Sequence, residues 1–222
     1  MGIKENLTKI KEQLGSNKVK IIAVTKYANQ NQISEAFKLG IKDFGESYVQ
    51  DAIKKIALKQ QDVNPAGLIN WHLIGRLQKN KVKFVVGNFS LIHSVDSLEL
   101  AKVIDKTASQ RNIIQEVLLQ VNISQEAEKT GFSKSKLKDS YKDLLKLSNI
   151  KFQGLMTIAP KTDDKKIIRD CFWDLKNLMN EVNKEYRSDL KELSMGMSND
   201  YLTAIECGST MVRIGRAIFK NQ

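Results

Sequence analysis

Apolar runs and amphipathic stretches alternate along this 222-residue chain. The opening "MGIKENLTKIKEQLG" spaces Ile and Leu as one face of a helix requires. "VKIIAVTK" is a short apolar run that predicts a strand. "NQISEAFKLG" then places Ile33, Ala36 and Phe37 at helical spacing, with Gly40 as the stop. The alternation repeats. "IKDFGE" is extended and "SYVQDAIKKIALKQ" helical; "NWHLIG" is apolar and "QKNKVKFVVGN" helical. "FSLIHSVD" precedes the amphipathic "SLELAKVIDKTASQRN", and "EVLLQVNIS" precedes the helical "SKSKLKDSYKDLLKLSN". "IKFQGLMTIA" leads to a long helix from about Asp164 to Tyr186. "KELSMGMSND", a short helix ending at "ECGS", and "TMVRIGRAIF" complete the chain.

About eight strands alternating with helices predict a parallel sheet with helices outside it. At this length the arrangement expected is a single (β/α)8 TIM barrel, one α/β domain over residues 1–222. A doubly wound open sheet is the alternative. It is disfavoured because no G-x-G-x-x-G follows the first strand.

Composition changes little in this picture. Hydrophobic residues make up 41% and charged residues 27% of the chain, an ordinary globular balance. No apolar run approaches the length of a transmembrane helix. The N-terminus lacks a signal-peptide core, and Asn6 stands where a myristoylation motif wants Ser or Thr. The expectation is a soluble, cytoplasmic protein. A net charge of +11 invites a nucleic-acid reading. The lysines are interleaved with acids on helical stretches, however, and no RNA-binding aromatic motif or zinc-finger spacing appears, so no specific nucleic acid is expected. Cys171 and Cys207 lie far apart without nearby histidines, which argues against zinc and redox motifs. Both read as packing residues, with a catalytic thiol at Cys207 as the alternative.

In a barrel, the C-terminal ends of the strands build the site. Those ends carry Thr25 and Lys26, then Gly45 to Ser47, His72 with "IGRLQKNK", His93, Ser94 and Asp96, Asn122 and Ser124, Met156 and Thr157, "SMGMSND" and "RIGR". "MGMSND" and "RIGR" put Gly196, Ser198 and Gly215 where backbone N–H groups can approach an anion. A buried strand that ends on Lys26 needs a reason, since lysine is seldom buried without a partner or a task. Together these ends point to a phosphorylated aldehyde captured by an amine whose pKa is expected to be lowered by desolvation and neighbouring cations.

The blocks "AVTKYA", "FGESYVQ", "WHLIGRLQKNK", "HSVDSLELA", "VNISQEAEKTGF", "GLMTIAP", "LSMGMSND" and "GSTMVRIGRAIF" resemble the YggS/PROSC family of pyridoxal phosphate homeostasis proteins. They follow the family's order from about Ile21 to Phe219. The resemblance implies a fold-type III barrel similar to the N-terminal domain of alanine racemase, without that enzyme's C-terminal β domain. It implies pyridoxal 5'-phosphate (PLP), a vitamin B6 form, as the cofactor, held as an internal aldimine (a Schiff base) on Lys26. It places Ser198 on the phosphate, with the backbones of Gly215 and Arg216, and sets Arg213 near the pyridine nitrogen. Ser47, His72 and Met156 complete the cofactor-binding set it implies.

Three positions depart from the family pattern. Ser47 stands where the family has asparagine and Asp51 where it has glutamate. Arg216 replaces a frequent threonine, keeping the backbone contact and losing a hydroxyl. The resemblance implies intracellular buffering or delivery of PLP without established turnover, as a monomer, with PLP-dependent apo-enzymes as recipients and no membrane. A fold-type III amino-acid racemase is the alternative. It needs a base on each face of the substrate, and only Tyr27 and Tyr48 lie near predicted strand ends.

Overall fold

Eight strands form where the apolar runs predict them: β1 (Lys20–Val24), β2 (Asp43–Glu46), β3 (Asn70–Leu73), β4 (Leu91–Val95), β5 (Gln115–Gln120), β6 (Ile150–Met156), β7 (Glu192–Met197) and β8 (Met211–Ile214). They pair in parallel in chain order, and β8 pairs back onto β1 with Ile22 opposite Arg213. The sheet is therefore a closed barrel, and the open-sheet alternative fails. The structure, a computed structural model, describes residues 2–61, 69–124, 126 and 128–220. The expected domain over 1–222 also takes in residues 1, 62–68, 125, 127, 221 and 222, which lie outside the described residues.

Helices α1 (Ile3–Leu14), α2 (Gln30–Lys38), α3 (Val49–Gln61), α4 (Val82–Val85), α5 (Leu98–Gln110), α6 (Lys134–Leu144), α7 (Lys165–Tyr186), α8 (Tyr201–Glu206) and α9 (Arg216–Phe219) make up the rest. Their starts are written locally. Asn29 caps α2 by accepting from the Gln32 amide at 3.0 Å, while the Gln32 side chain accepts from the Asn29 amide at 3.0 Å. Ser97, Ser133 and Asp164 cap α5, α6 and α7 with side-chain oxygens. The helix expected over "QKNKVKFVVGN" shrinks to a 3-10 turn, Lys79–Lys81, and the single turn of α4. Gly87, at φ +79°, closes it off.

Alternation along the strands divides the apolar residues into two cores. The large one lies between sheet and helices and includes Phe44 and Trp71, whose rings sit 5.8 Å apart. The small one is formed by Ile22, Leu91, Leu118, Met156 and Met211. This is the packed interior of the barrel, as its side-chain-filled architecture requires. Between β5 and β6 the register slips, Val117 facing Phe152 and Leu118 facing Gly154, so Gln153 is an extra residue on β6. Gly154 is needed there, because a Cβ would lie 1.8 Å from the Glu192 carbonyl oxygen on β7. Cys171 and Cys207 are both buried, and burial raises both thiols, Cys171 to about 11. Packing, not thiolate chemistry, is their use.

Candidate functional site

β1 ends at Val24, and the chain turns outward through Thr25, buried, and Lys26, half-buried. Lys55 on α3 donates to the Thr25 carbonyl and to Glu46 Oε1, each at 2.6 Å, and the Thr25 hydroxyl donates to the same Glu46 oxygen at 2.5 Å. The ends of β1 and β2 are thereby fixed one residue before Lys26. The Lys26 ammonium stands 4.9 Å from the ring centroids of both Tyr27 and Tyr48. Contact with the Tyr27 hydroxyl, then with that of Tyr48, raises Lys26 above the ordinary lysine range. This reverses the expected lowering. Desolvation is the lesser effect on this amine, and no cation among the described residues opposes its charge. Tyr27 is 85% exposed and Tyr48 52%.

Across the barrel seam, β7 and β8 deliver the other expected residues. Gly196, with φ +93°, turns the chain out of the barrel. Met197 donates its amide to Asp200 Oδ1 at 2.5 Å, which rounds the loop. Ser198 is half-buried, and its hydroxyl oxygen accepts from the Ala217 amide at 3.4 Å. The "GMS" and "RIGR" segments are therefore in direct contact, as one anion-binding corner would require. Gly215 packs on Val24, a Cβ there meeting the Val24 Cβ and carbonyl oxygen at 3.2 Å. Arg216 is exposed and reaches Asn199 Oδ1 at 3.5 Å.

Arg213 is the unusual charge of the site. It is 4% exposed, and Nη1 donates to the Ser194 carbonyl at 2.8 Å and the Ser194 hydroxyl oxygen at 2.6 Å. Nη2 donates to the Thr157 carbonyl at 2.9 Å. No carboxylate bonds it among the described residues. Burial lowers its pKa to about 10 against the field of Asp200, so it stays charged at neutral pH. Its Nε–H makes no hydrogen bond to the described residues, which leaves a donor for a ligand atom.

The remaining expected residues take different positions. Ser47 is half-buried at the end of β2, and its carbonyl presses on Gly75, where a Cβ would sit 2.0 Å away. Met156 is wholly buried in the inner core, an apolar floor. His72 has both ring nitrogens taken, by Asp43 Oδ1 at 3.0 Å and His93 Nε2 at 2.9 Å. It supports the site from inside the barrel and offers no free donor. Sequence patterning assigns no role to Glu46, Lys55 or Ser194, and offers Tyr27 and Tyr48 as candidate bases rather than as ring contacts of Lys26. The signals available were an acid and a serine inside otherwise apolar strands, "DFGE" and "ELSMGM".

A cavity of about 280 Å³ opens at the same end of the barrel, lined by Arg76, Gln120, Asn122, Lys129 and Ile158 among others. A larger one, about 370 Å³, lies at the opposite end around Lys11, Lys20, Lys42 and Asp43. Lys26, Ser198 and Arg213 border neither, so volume alone does not find the site. No described helix is long and apolar enough to cross a membrane, and the described residues hold no cluster suited to a metal ion.

Comparison with known proteins adds an independent line. The family described as alanine racemase, N-terminal domain, matches residues 2–222. A pyridoxal phosphate homeostasis protein of Aquifex aeolicus is 42% identical over 206 residues, covering 92% of this chain and 88% of that protein. One from Pasteurella multocida is 34% identical over 229 residues, covering 99% and 97%. Among solved structures, PipY of Synechococcus elongatus PCC7942 with PLP bound superposes with a TM-score of 0.90 at 33% identity, covering 98% of this chain and all of that one. Alanine racemase of Clostridium difficile 630 matches with a TM-score of 0.82 at 17% identity, this chain spanning 57% of it, a likeness of fold.

Proposed function

The chain belongs to the alanine racemase N-terminal domain family and, within it, to the pyridoxal phosphate homeostasis proteins, and from that premise we propose that it binds PLP at the mouth of the barrel and holds it for cellular use. When bound, the ligand supplies an aldehyde able to condense with an amine, a ring nitrogen able to accept a hydrogen bond, and a phosphate dianion. Lys26 is the amine. Ser198 and the turn from Gly215 to Ala217 form the anion corner. Met156 and, at the end of β2, Ser47 would line the site on its ring side.

The observation that carries this reading is Arg213: a buried guanidinium with no bonded carboxylate and an unused donor. A cation at that position donates to a ring nitrogen and keeps it unprotonated, which limits the ring as an electron sink. The mouth is also open, with Tyr27 and Tyr48 largely in water, so fields around Lys26 are screened. Both features favour retention and release of the ligand over turnover. The protein acts as a carrier within the cell, handing the cofactor to apo-enzymes that use it.

Borohydride treatment of the PLP-loaded protein, followed by peptide mapping, tests the assignment. The label is expected on Lys26. A label on any other lysine, or none, overturns it.

A further inference from the structure

The barrel interior holds more than its apolar cluster. A line of polar side chains crosses it: Asp43 Oδ1 to His72 Nε2, 3.0 Å; His72 Nδ1 to His93 Nε2, 2.9 Å; His93 Nδ1 to Ser194 Oγ, 2.8 Å; Ser194 Oγ to Arg213 Nη1, 2.6 Å. His72, His93, Ser194 and Arg213 are each at most 4% exposed. Asp43 lines the cavity at the closed end of the barrel, so the line runs from the mouth side to water on the far side.

Hydrogen counting fixes its direction. Arg213 has only donors, so the Ser194 oxygen accepts from it. A second lone pair on that oxygen lets Ser194 either donate to His93 Nδ1 or accept from it, and the Asp43 end of the line decides which. Burial first, with the positive charges of Arg213 and Lys20 adding to it, holds His93 well below the ordinary histidine value, so it carries one hydrogen. Asp43 can only accept, so a His72 with one hydrogen spends it from Nε2 and accepts at Nδ1. The His93 hydrogen is therefore on Nε2, and its Nδ1 accepts from the Ser194 hydroxyl. Burial opposes ionisation of Asp43, but the bonds from His72 and Asn70 outweigh it and hold the acid below its usual range. Every donor points one way.

We propose that Ser194, His93, His72 and Asp43 form a one-directional hydrogen-bond chain that positions Arg213 from inside the barrel and ties the mouth to the closed face. Ser194 is the hinge: its single hydroxyl both receives the guanidinium and donates to His93 Nδ1. The two histidines are positioning residues, acting through Ser194 and Arg213. An apolar filling of the same space would pack as well and would leave Arg213 with carbonyl acceptors alone. The chain itself follows from this geometry; its effect on the ligand rests on the function proposed above.

Imidazole nitrogen NMR on the ligand-free, ¹⁵N-labelled protein tests the chain directly. Both histidines are expected as Nε2–H tautomers, with His93 keeping its single hydrogen at pH values where an ordinary histidine takes up a second. Ser194→Ala removes the donor to His93 Nδ1 and is expected to shift the His93 signals. It should also weaken PLP binding about tenfold, the scale of one hydrogen bond to a charged group, while Ser194→Thr restores both. His93 protonated on Nδ1 overturns the proposal, as does a Ser194→Ala protein with unchanged signals and unchanged affinity. If Ser194→Ala does not fold, the wild-type spectrum decides the chain alone. A wild type that shows the tautomers yet binds no PLP would sink the functional reading and leave the chain standing.

Discussion

Lys55 and Glu46 meet at 2.6 Å, the carboxylate wholly buried and the lysine side chain 19% exposed. The same ammonium donates to the carbonyl of Thr25, the residue before Lys26. One cation from α3 therefore holds two strand ends together and fixes the base of the reactive amine. Glu46 also carries a second oxygen, Oε2, that is buried and has no partner among the described residues.

Removing that cation has a predictable cost. Lys55→Met leaves Glu46 buried without its counter-charge, and breaking such a pair costs about 3–5 kcal/mol. Urea unfolding should show the loss as a lower midpoint. Glu46→Gln added to Lys55→Met should recover much of it, since the uncompensated charge is then gone. Equal stability in the single and double variants would contradict the account.

Lys26 is expected to behave in the opposite way. Its ammonium makes ring contacts with two exposed tyrosines and closes no buried pair. Lys26→Ala should leave the urea midpoint unchanged, as for surface positions, while abolishing the visible absorbance band of the PLP-loaded protein. A band that survives the substitution would remove Lys26 from its role.

The chain has two histidines, which isolates a pH effect. His93 in the folded state is held well below 6.5, while in the unfolded chain it titrates near that value. Below pH 6.5 the unfolded state therefore binds a proton that the folded state refuses. The stability His93 contributes is complete above 6.5 and declines as pH falls toward its depressed folded value, by up to about 1.4 kcal/mol per pH unit. Denaturant unfolding at pH 7.5, 6.5 and 5.5 should show a falling midpoint, and His93→Gln should flatten the slope. A wild-type midpoint that stays level over that range would refute the assignment.

Gly154 is expected to tolerate no side chain. A Cβ there would lie 1.8 Å from the Glu192 carbonyl oxygen and 2.6 Å from its carbon, both backbone atoms. Gly154→Ala should cost about 3 kcal/mol or more through displacement of β6 from β7. Thermal melting of Gly154→Ala against the wild type reads the loss, and an unchanged midpoint would contradict the contact.

Much of the architecture was legible before any coordinates. The strand at "VKIIAVTK", the helix capped by Asn29 and the long helix ending at Tyr186 all form where period and capping residues place them. These are local signals, set within a few residues. The helix that "QKNKVKFVVGN" predicts shrinks to two single turns before Gly87, with no side-chain cap from Gln78 or Lys81 at their starts.

The amino-acid order by itself determined the alternation of strand and helix, the concentration of polar residues at strand ends, and Lys26 as an amine in need of a purpose, because these depend on side-chain period and on the cost of burying a charge. Closure of the barrel decided the rest. It brought Ser198 against Ala217, set Arg213 on Ser194, and joined His93 to a strand on the far side of the interior. Those contacts link residues 19 and 101 positions apart. No periodicity encodes them, since the distance between such residues is set by strand order and register alone. The environment of Lys26 was decided in the same way: its neighbours turned out to be two solvated tyrosines, so its proton is held more tightly than the sequence implied.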